Sequence, residues 1–188
     1  DYTTGNLGTT YTWIDCSSGN NIVVGDDEQA QINWPFAFSY YDNDYDTDQS
    51  LSVCSNGFIR LDGTASTDYN TATAYDLTST ATNLGQIIAM AVYDGSVGDN
   101  GGYVRSLVTG SSPERIFTIE YNNLEIDYND NKYADAQVSF YESSNKIVLK
   151  FGTENINKNG ADMGLHSGVN TYFNKWQEVR SGTQNTWI

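Results

Sequence analysis

Between Ile32 and Tyr40 every second residue is large and apolar: Ile32, Trp34, Phe36, Phe38 and Tyr40. An apolar residue at every second position buries one face of an extended chain, and the same spacing scatters side chains around a helix. The alternation then continues as carboxylates, at Asp42, Asp44, Asp46 and Asp48. Four acids cannot be buried without cations, so the chain is expected to leave a sheet here and enter an anionic loop.

Strand signals recur along the chain, and no segment holds a 3.6-residue apolar period over three turns. Gln86 to Tyr93 reads QIIAMAVY, which is apolar at both parities and suits a central strand covered on both faces. Tyr103 to Thr109 and Arg115 to Ile126 flank a Gly-Ser-Ser-Pro-Glu turn, with Phe117, Ile119 and Tyr121 in phase on one face. Ala134 to Glu142 and Lys146 to Phe151, joined by Ser143-Ser144-Asn145, form a second hairpin signature. Eight or more short strands in a chain of 188 residues predict an all-β fold: two packed antiparallel sheets, a jelly-roll-like β-sandwich with long surface loops. Thr64 to Asn83, poor in large aliphatics, is the expected long surface loop, with Ser and Thr hydroxyls available to O-linked sugar.

No linker divides the chain, so residues 11–188 read as one domain preceded by a polar, flexible segment at residues 1–10. The formal charge of -15, from 24 Asp plus Glu against 9 Lys plus Arg, disfavours nucleic acid as a partner and favours divalent cations. The same charge also serves solubility alone. Cys16 and Cys54, each in a strand-like run, are expected to form a disulfide in an extracellular protein, worth roughly 4 kcal/mol in the chain-entropy model. Two reduced core thiols are the alternative. Neither a signal peptide nor a membrane span is visible, and Asp1 is then expected to be a mature end left by cleavage.

The order Tyr11-Thr12-Trp13-Ile14, Asp26-Asp27, Ile32 to Tyr40, Ser55-Asn56-Gly57-Phe58-Ile59, Ile87-Ile88-Ala89, Arg115 to Asn123, Val138 to Glu142, Ile147 to Gly152 and Met163-Gly164-Leu165 resembles a nidogen-like β-sandwich module. Such modules recur in large secreted and cell-surface proteins of bacteria and archaea. The resemblance implies an extracellular adhesive or structural part with no catalytic centre. It also exposes a departure: where the family usually carries a Trp-Asp-Asp turn, this chain reads Tyr93-Asp94-Gly95.

Calcium is the expected ligand, because hard cations take several oxygen donors. The first candidates are Asp42, Asp44, Asp46 and Asp48, followed by Asp94 and Asp99, then Asp127, Asp130 and Asp135. A solvated acidic turn is an equal reading of the first four, since Thr47 and Val53 occupy the places where an EF-hand needs glycine and glutamate. Catalysis has little support. His166 is the one histidine and reads as a hydrogen-bonding residue, and Glu120 with Glu142 is the one carboxylate pair on predicted strands that invites comparison with a glycosidase. With 14 Tyr and 4 Trp, a carbohydrate-binding module is the second functional class.

The ends of the chain point to assembly. Tyr11-Thr12-Trp13-Ile14 is echoed by Asn185-Thr186-Trp187-Ile188, and an extended terminal segment can complete the edge of a neighbour's sheet. Residues 1–10 are the expected donor, with Tyr2 and Leu7 as buried anchors. The leading expectation is a non-enzymatic extracellular structural or adhesive protein that self-associates into a filament or surface matrix, with glycans as further partners.

Overall fold

The computed structural model describes residues 12–22, 25–64, 85–92, 94–98, 100–126, 131–152, 162–167, 173–176 and 185–187. Among them, two six-stranded antiparallel sheets pack as a sandwich. The first has the order β1 (Asn20–Ile22), β8 (Tyr103–Thr109), β9 (Ile116–Glu125), β10 (Tyr133–Tyr141), β11 (Ile147–Phe151) and β14 (Asn185–Trp187). The second runs β13 (Phe173–Trp176), β12 (Asp162–Ser167), β7 (Gln86–Val92), β6 (Phe58–Arg60), β5 (Ser50–Cys54) and β2 (Gln29–Asn33). A small hairpin, β3 (Phe38–Tyr40) with β4 (Asn43–Tyr45), is inserted between β2 and β5 of the second sheet.

The apolar alternation is divided between two sheets. β2 ends at Asn33, and after one further backbone bond, from Trp34 N to the Gln49 carbonyl at 3.0 Å, Pro35 has no N–H with which to extend the ladder. Trp34, Phe36, Phe38 and Tyr40 nevertheless all reach the core, so the parity of burial outlasts the strand itself. Trp34 stacks on Phe38 and Tyr45 with ring centroids 5.3 Å apart in each case, and meets Phe140 edge-on at 5.1 Å. After Tyr40, the two-residue turn at Tyr41-Asp42 is closed with Tyr41 at φ 51°.

Strand parity assigns the two faces of each sheet. Across the second sheet, Val53, Ile59, Ile88 and Leu165 lie in register and face the main core. Their alternates Cys54, Phe58, Ile87 and Ala89 join Val92 in a separate buried apolar cluster on the opposite face. The expectation that β7 is covered on both sides therefore holds. In the first sheet Phe117, Ile119 and Tyr121 share the core face with Val138, Phe140 and Leu149, and both predicted hairpins form. The expected loop from Thr64 to Asn83 lies outside the described residues after Thr64, and so does the segment 1–10.

Two phenols tie the layers together. Tyr121, on the first sheet, donates across the core to the carbonyls of Cys54 at 2.9 Å and Phe58 at 3.2 Å, at the β5–β6 turn of the second. Tyr40 is placed within 3.2 Å of the carbonyls of Ile87 and His166 on β7 and β12. The residues that carry these carbonyls are buried, so a lost phenol removes a hydrogen bond that water does not readily replace. Tyr121→Phe is expected to lower stability by about 1–3 kcal/mol with the fold retained, read as a lower urea midpoint at unchanged slope.

Candidate functional site

On its outer face the first sheet carries a polar row: Asn21, Arg105, Glu120, Gln137 and Lys150 are successive register partners from β1 to β11. Parity alone would make this a solvated face. Three of its members are instead buried, Glu120 at 5%, Gln137 at 0% and Lys150 at 3% exposure. Buried polar groups of this size require partners.

Those partners come from residues 12–16. The predicted strand from Tyr11 to Cys16 is not one: its described residues belong to neither sheet and run across the strands as a strap. Lys150 Nζ donates to the Thr12 carbonyl at 2.9 Å on β11, and on β10 the Gln137 amide accepts from Ile14 N at 3.1 Å and donates to Ile14 O at 2.6 Å. Trp13 Nε1 donates to Glu120 Oε1 at 2.7 Å. Cys16 follows beside Glu120 on β9, and a turn closed by Gly19 N to Cys16 O at 2.9 Å delivers the chain into β1. Gly19 is required here, because a Cβ would stand 2.4 Å from the Ser106 carbonyl. One glutamine thus reads a dipeptide backbone much as a neighbouring strand would.

The strap also explains why the expected disulfide is absent. Cys16 and Cys54 are free and buried. Cys16 lies over the outer face of the first sheet and Cys54 in the cluster on the far face of the second, so the sandwich, roughly 10 Å between sheets, separates them. A bridge tolerates Cα atoms only up to about 7 Å apart. Burial pushes both thiols up to about 12, helped at Cys16 by the Glu120 carboxylate. Neither thiol should react with an aromatic disulfide reagent at pH 8 in the native protein, and two should titrate after unfolding; none after unfolding would restore the bridge.

The carboxylates expected to hold calcium are dispersed. Asp42 lies in the β3–β4 turn, Asp44 on β4 beside the Ser39 hydroxyl, and Asp46 and Asp48 in the following turn, where Asp46 N donates to Gln49 Oε1 at 2.7 Å; all four are exposed. Asp94 is half-buried, and burial together with the charge of Asp27 pushes its carboxyl up. Asp99, Asp127 and Asp130 lie outside the described residues, while Asp135 accepts from Asn123 N at 2.8 Å and Asn122 Nδ2 at 3.0 Å. Among the described residues no three of His, Cys, Asp and Glu converge as a metal site. Gly95 has a steric reason to depart from the family turn, since a Cβ there would come within 2.8 Å of the Glu125 carbonyl.

Glu120 and Glu142 do not face one another. Glu120 pairs with Gln137, and Glu142 is five residues further on, just past the end of β10, about 16 Å of extended chain and beyond the separation a glycosidase pair uses. Glu142 instead accepts from Arg115 Nε at 2.8 Å and Nη2 at 2.6 Å, and Arg115 Nη1 reaches the Pro35 carbonyl at 3.0 Å. The Arg115 hydrogen bonds hold the Glu142 carboxyl down at about 2, against an ordinary 4.5. A depressed carboxylate contributes stability above its unfolded value and loses it as pH falls through the folded one. Glu142→Gln should therefore lower stability at pH 7 and flatten the stability profile between about pH 4.5 and 2, measured as urea midpoints. His166, buried on β12, has Nδ1 3.0 Å from the Gly85 carbonyl, in keeping with a hydrogen-bonding residue.

Two antiparallel sheets packed as a sandwich, with a strap across one outer face, define an all-β module. The chain belongs to the NIDO-related family, whose model matches residues 1–187. The comparison with curated proteins gave no match, and neither did the comparison with solved structures. No helix among the described residues is long and apolar enough to cross a membrane.

Proposed function

We propose that this chain is a non-enzymatic structural or adhesive part of an extracellular matrix or filament, and that identical subunits join through the segment ahead of the strap. The observation that carries the reading is the path of residues 12–16. They take no place in their own sheets, so the chain ahead of Thr12 starts beside Lys150 on the outer face of the first sheet. Membership of the NIDO-related family supports an extracellular setting. The edge strand β2 carries Gln29, Gln31 and Asn33 on one face and Ala30 and Ile32 on the other, the pattern an added extended segment would continue. Calcium belongs to the proposal as a cation drawn by the excess of acid, 24 Asp plus Glu against 9 Lys plus Arg.

A carbohydrate-binding module is the competing class. Two half-buried rings on the first sheet's outer face are already covered, Tyr103 by Arg105 at 4.0 Å and Tyr141 by Lys146 at 4.0 Å, which favours the structural reading. Sedimentation velocity and electron microscopy, each with and without millimolar calcium, test it. The full chain should form concentration-dependent assemblies, and a chain lacking residues 1–10 should stay folded and monomeric. A full chain that is monomeric at high concentration under both conditions would remove the assembly reading and promote glycan binding.

A further inference from the structure

We propose that Glu120, Gln137 and Lys150 form an exchangeable receptor for an extended Thr-Trp-Ile segment, and that its second occupant is residues 12–16 of another copy of this chain. The receptor rests on geometry alone. The self-association reading enters only in the choice of partner, and strand donation by residues 1–10 is a separate contact.

Three observations carry the proposal. The first is the form of recognition: Gln137 takes both the N–H and the C=O of Ile14, Lys150 takes the carbonyl of Thr12, and Glu120 takes the indole N–H of Trp13. Two of these side chains read only backbone, and one selects a side chain that donates. Such a set would bind the same tripeptide equally well from another chain. The second is the need for an occupant. Gln137, Lys150 and Glu120 are at most 5% exposed with the strap in place, and its departure would take away four hydrogen-bond partners at once: the Thr12 and Ile14 carbonyls, the Ile14 N–H and the Trp13 indole. A lost strap therefore calls for a replacement of the same chemistry.

The third observation is how lightly the strap is fastened. Trp13 and Ile14 are only half-buried and Thr12 and Asp15 are exposed, Cys16 alone being buried, and residues 12–16 share no strand ladder. A short turn, Ser17-Ser18-Gly19, joins the strap to β1 and provides the place where the segment can swing out. The same three residues recur as Thr186-Trp187-Ile188, and Thr186 is the backbone partner of Lys150 in the β11–β14 pairing. Both occurrences thus meet at one lysine. Exchange in trans must displace the subunit's own strap, so it follows the contact made by residues 1–10: once that contact holds two copies together, reciprocal exchange gives a closed, two-fold dimer and one-way exchange propagates a chain of subunits.

The test uses the full chain and a fluorescent peptide of residues 11–17 with Cys16→Ser. The chain's own strap competes at a high effective concentration, so weakening it should favour uptake in trans. Trp13→Ala in the full chain is expected to take up the peptide at least tenfold more tightly than the unaltered chain does. A peptide carrying 1-methyltryptophan at position 13 lacks the indole donor and should bind about tenfold more weakly, and a peptide of residues 185–188 should compete where a scrambled one does not. If Trp13→Ala fails to fold, the peptide series on the unaltered chain at millimolar concentration decides the matter. Uptake that is unsaturable, or equal for the methylated peptide, overturns the receptor. A chain lacking residues 1–10 should take up the peptide unchanged even if it no longer assembles, and loss of uptake there would move the site away from Glu120, Gln137 and Lys150.

Discussion

Trp34 lies where the three sheets meet, and the sandwich is organised around its ring. Its faces stack on Phe38 and Tyr45 of the small hairpin, Phe117 and Phe140 of the first sheet meet it edge-on, and its indole nitrogen is 3.4 Å from the Leu61 carbonyl beyond β6. Aromatic rings prefer offset-stacked or edge-to-face geometry, so a group of this kind sets orientation as well as burying area. Because the chain changes sheets at Pro35 while its alternate residues keep facing inward, the crossover becomes part of the core. The phenols of Tyr121 and Tyr40 then add hydrogen bonds to carbonyls of the second sheet, tying it to the first sheet and to the hairpin.

Both sheets are covered on their outer faces, and the two covers differ in chemistry. The second sheet buries an apolar cluster of Cys54, Phe58, Ile87, Ala89 and Val92, and the first buries a polar row under a strap. A polar row costs free energy to bury unless its groups are paired, so the first sheet is committed to a peptide segment with backbone groups on offer. That commitment connects the fold to the proposed self-association. An outer face that must hold an extended segment can hold one from the same chain or from a neighbour.

The two cysteines illustrate how sequence parity can mislead. Both occupy strand-like runs, and composition argued for oxidation, yet one run is a strap and the other a strand with the core of the sandwich between them. The aspartates from Asp42 to Asp48 show the same effect. Their two-residue spacing suggests a single wrapping loop, but a hairpin turn at Tyr41-Asp42, the strand β4 and a second turn beyond Tyr45 divide them among three local conformations, and no three of them converge. Linear spacing predicts proximity only while one conformation persists.

Alternation, turn residues and the doubly apolar run at Gln86 to Tyr93 were enough, by themselves, to determine an antiparallel sandwich, its two later hairpins and the inward set Phe117, Ile119, Tyr121, Val138, Phe140 and Leu149. Those features depend on local parity, and parity is carried by each segment alone. Only the tertiary structure decided what covers the outer faces. Nothing local distinguishes the polar parity of β9 and β10 from a solvated one, because Glu120 and Gln137 read as ordinary exposed residues until a segment more than a hundred positions away lies across them. The one local hint was a lysine inside the apolar run Ile147 to Phe151, and its partner is a carbonyl 138 residues distant.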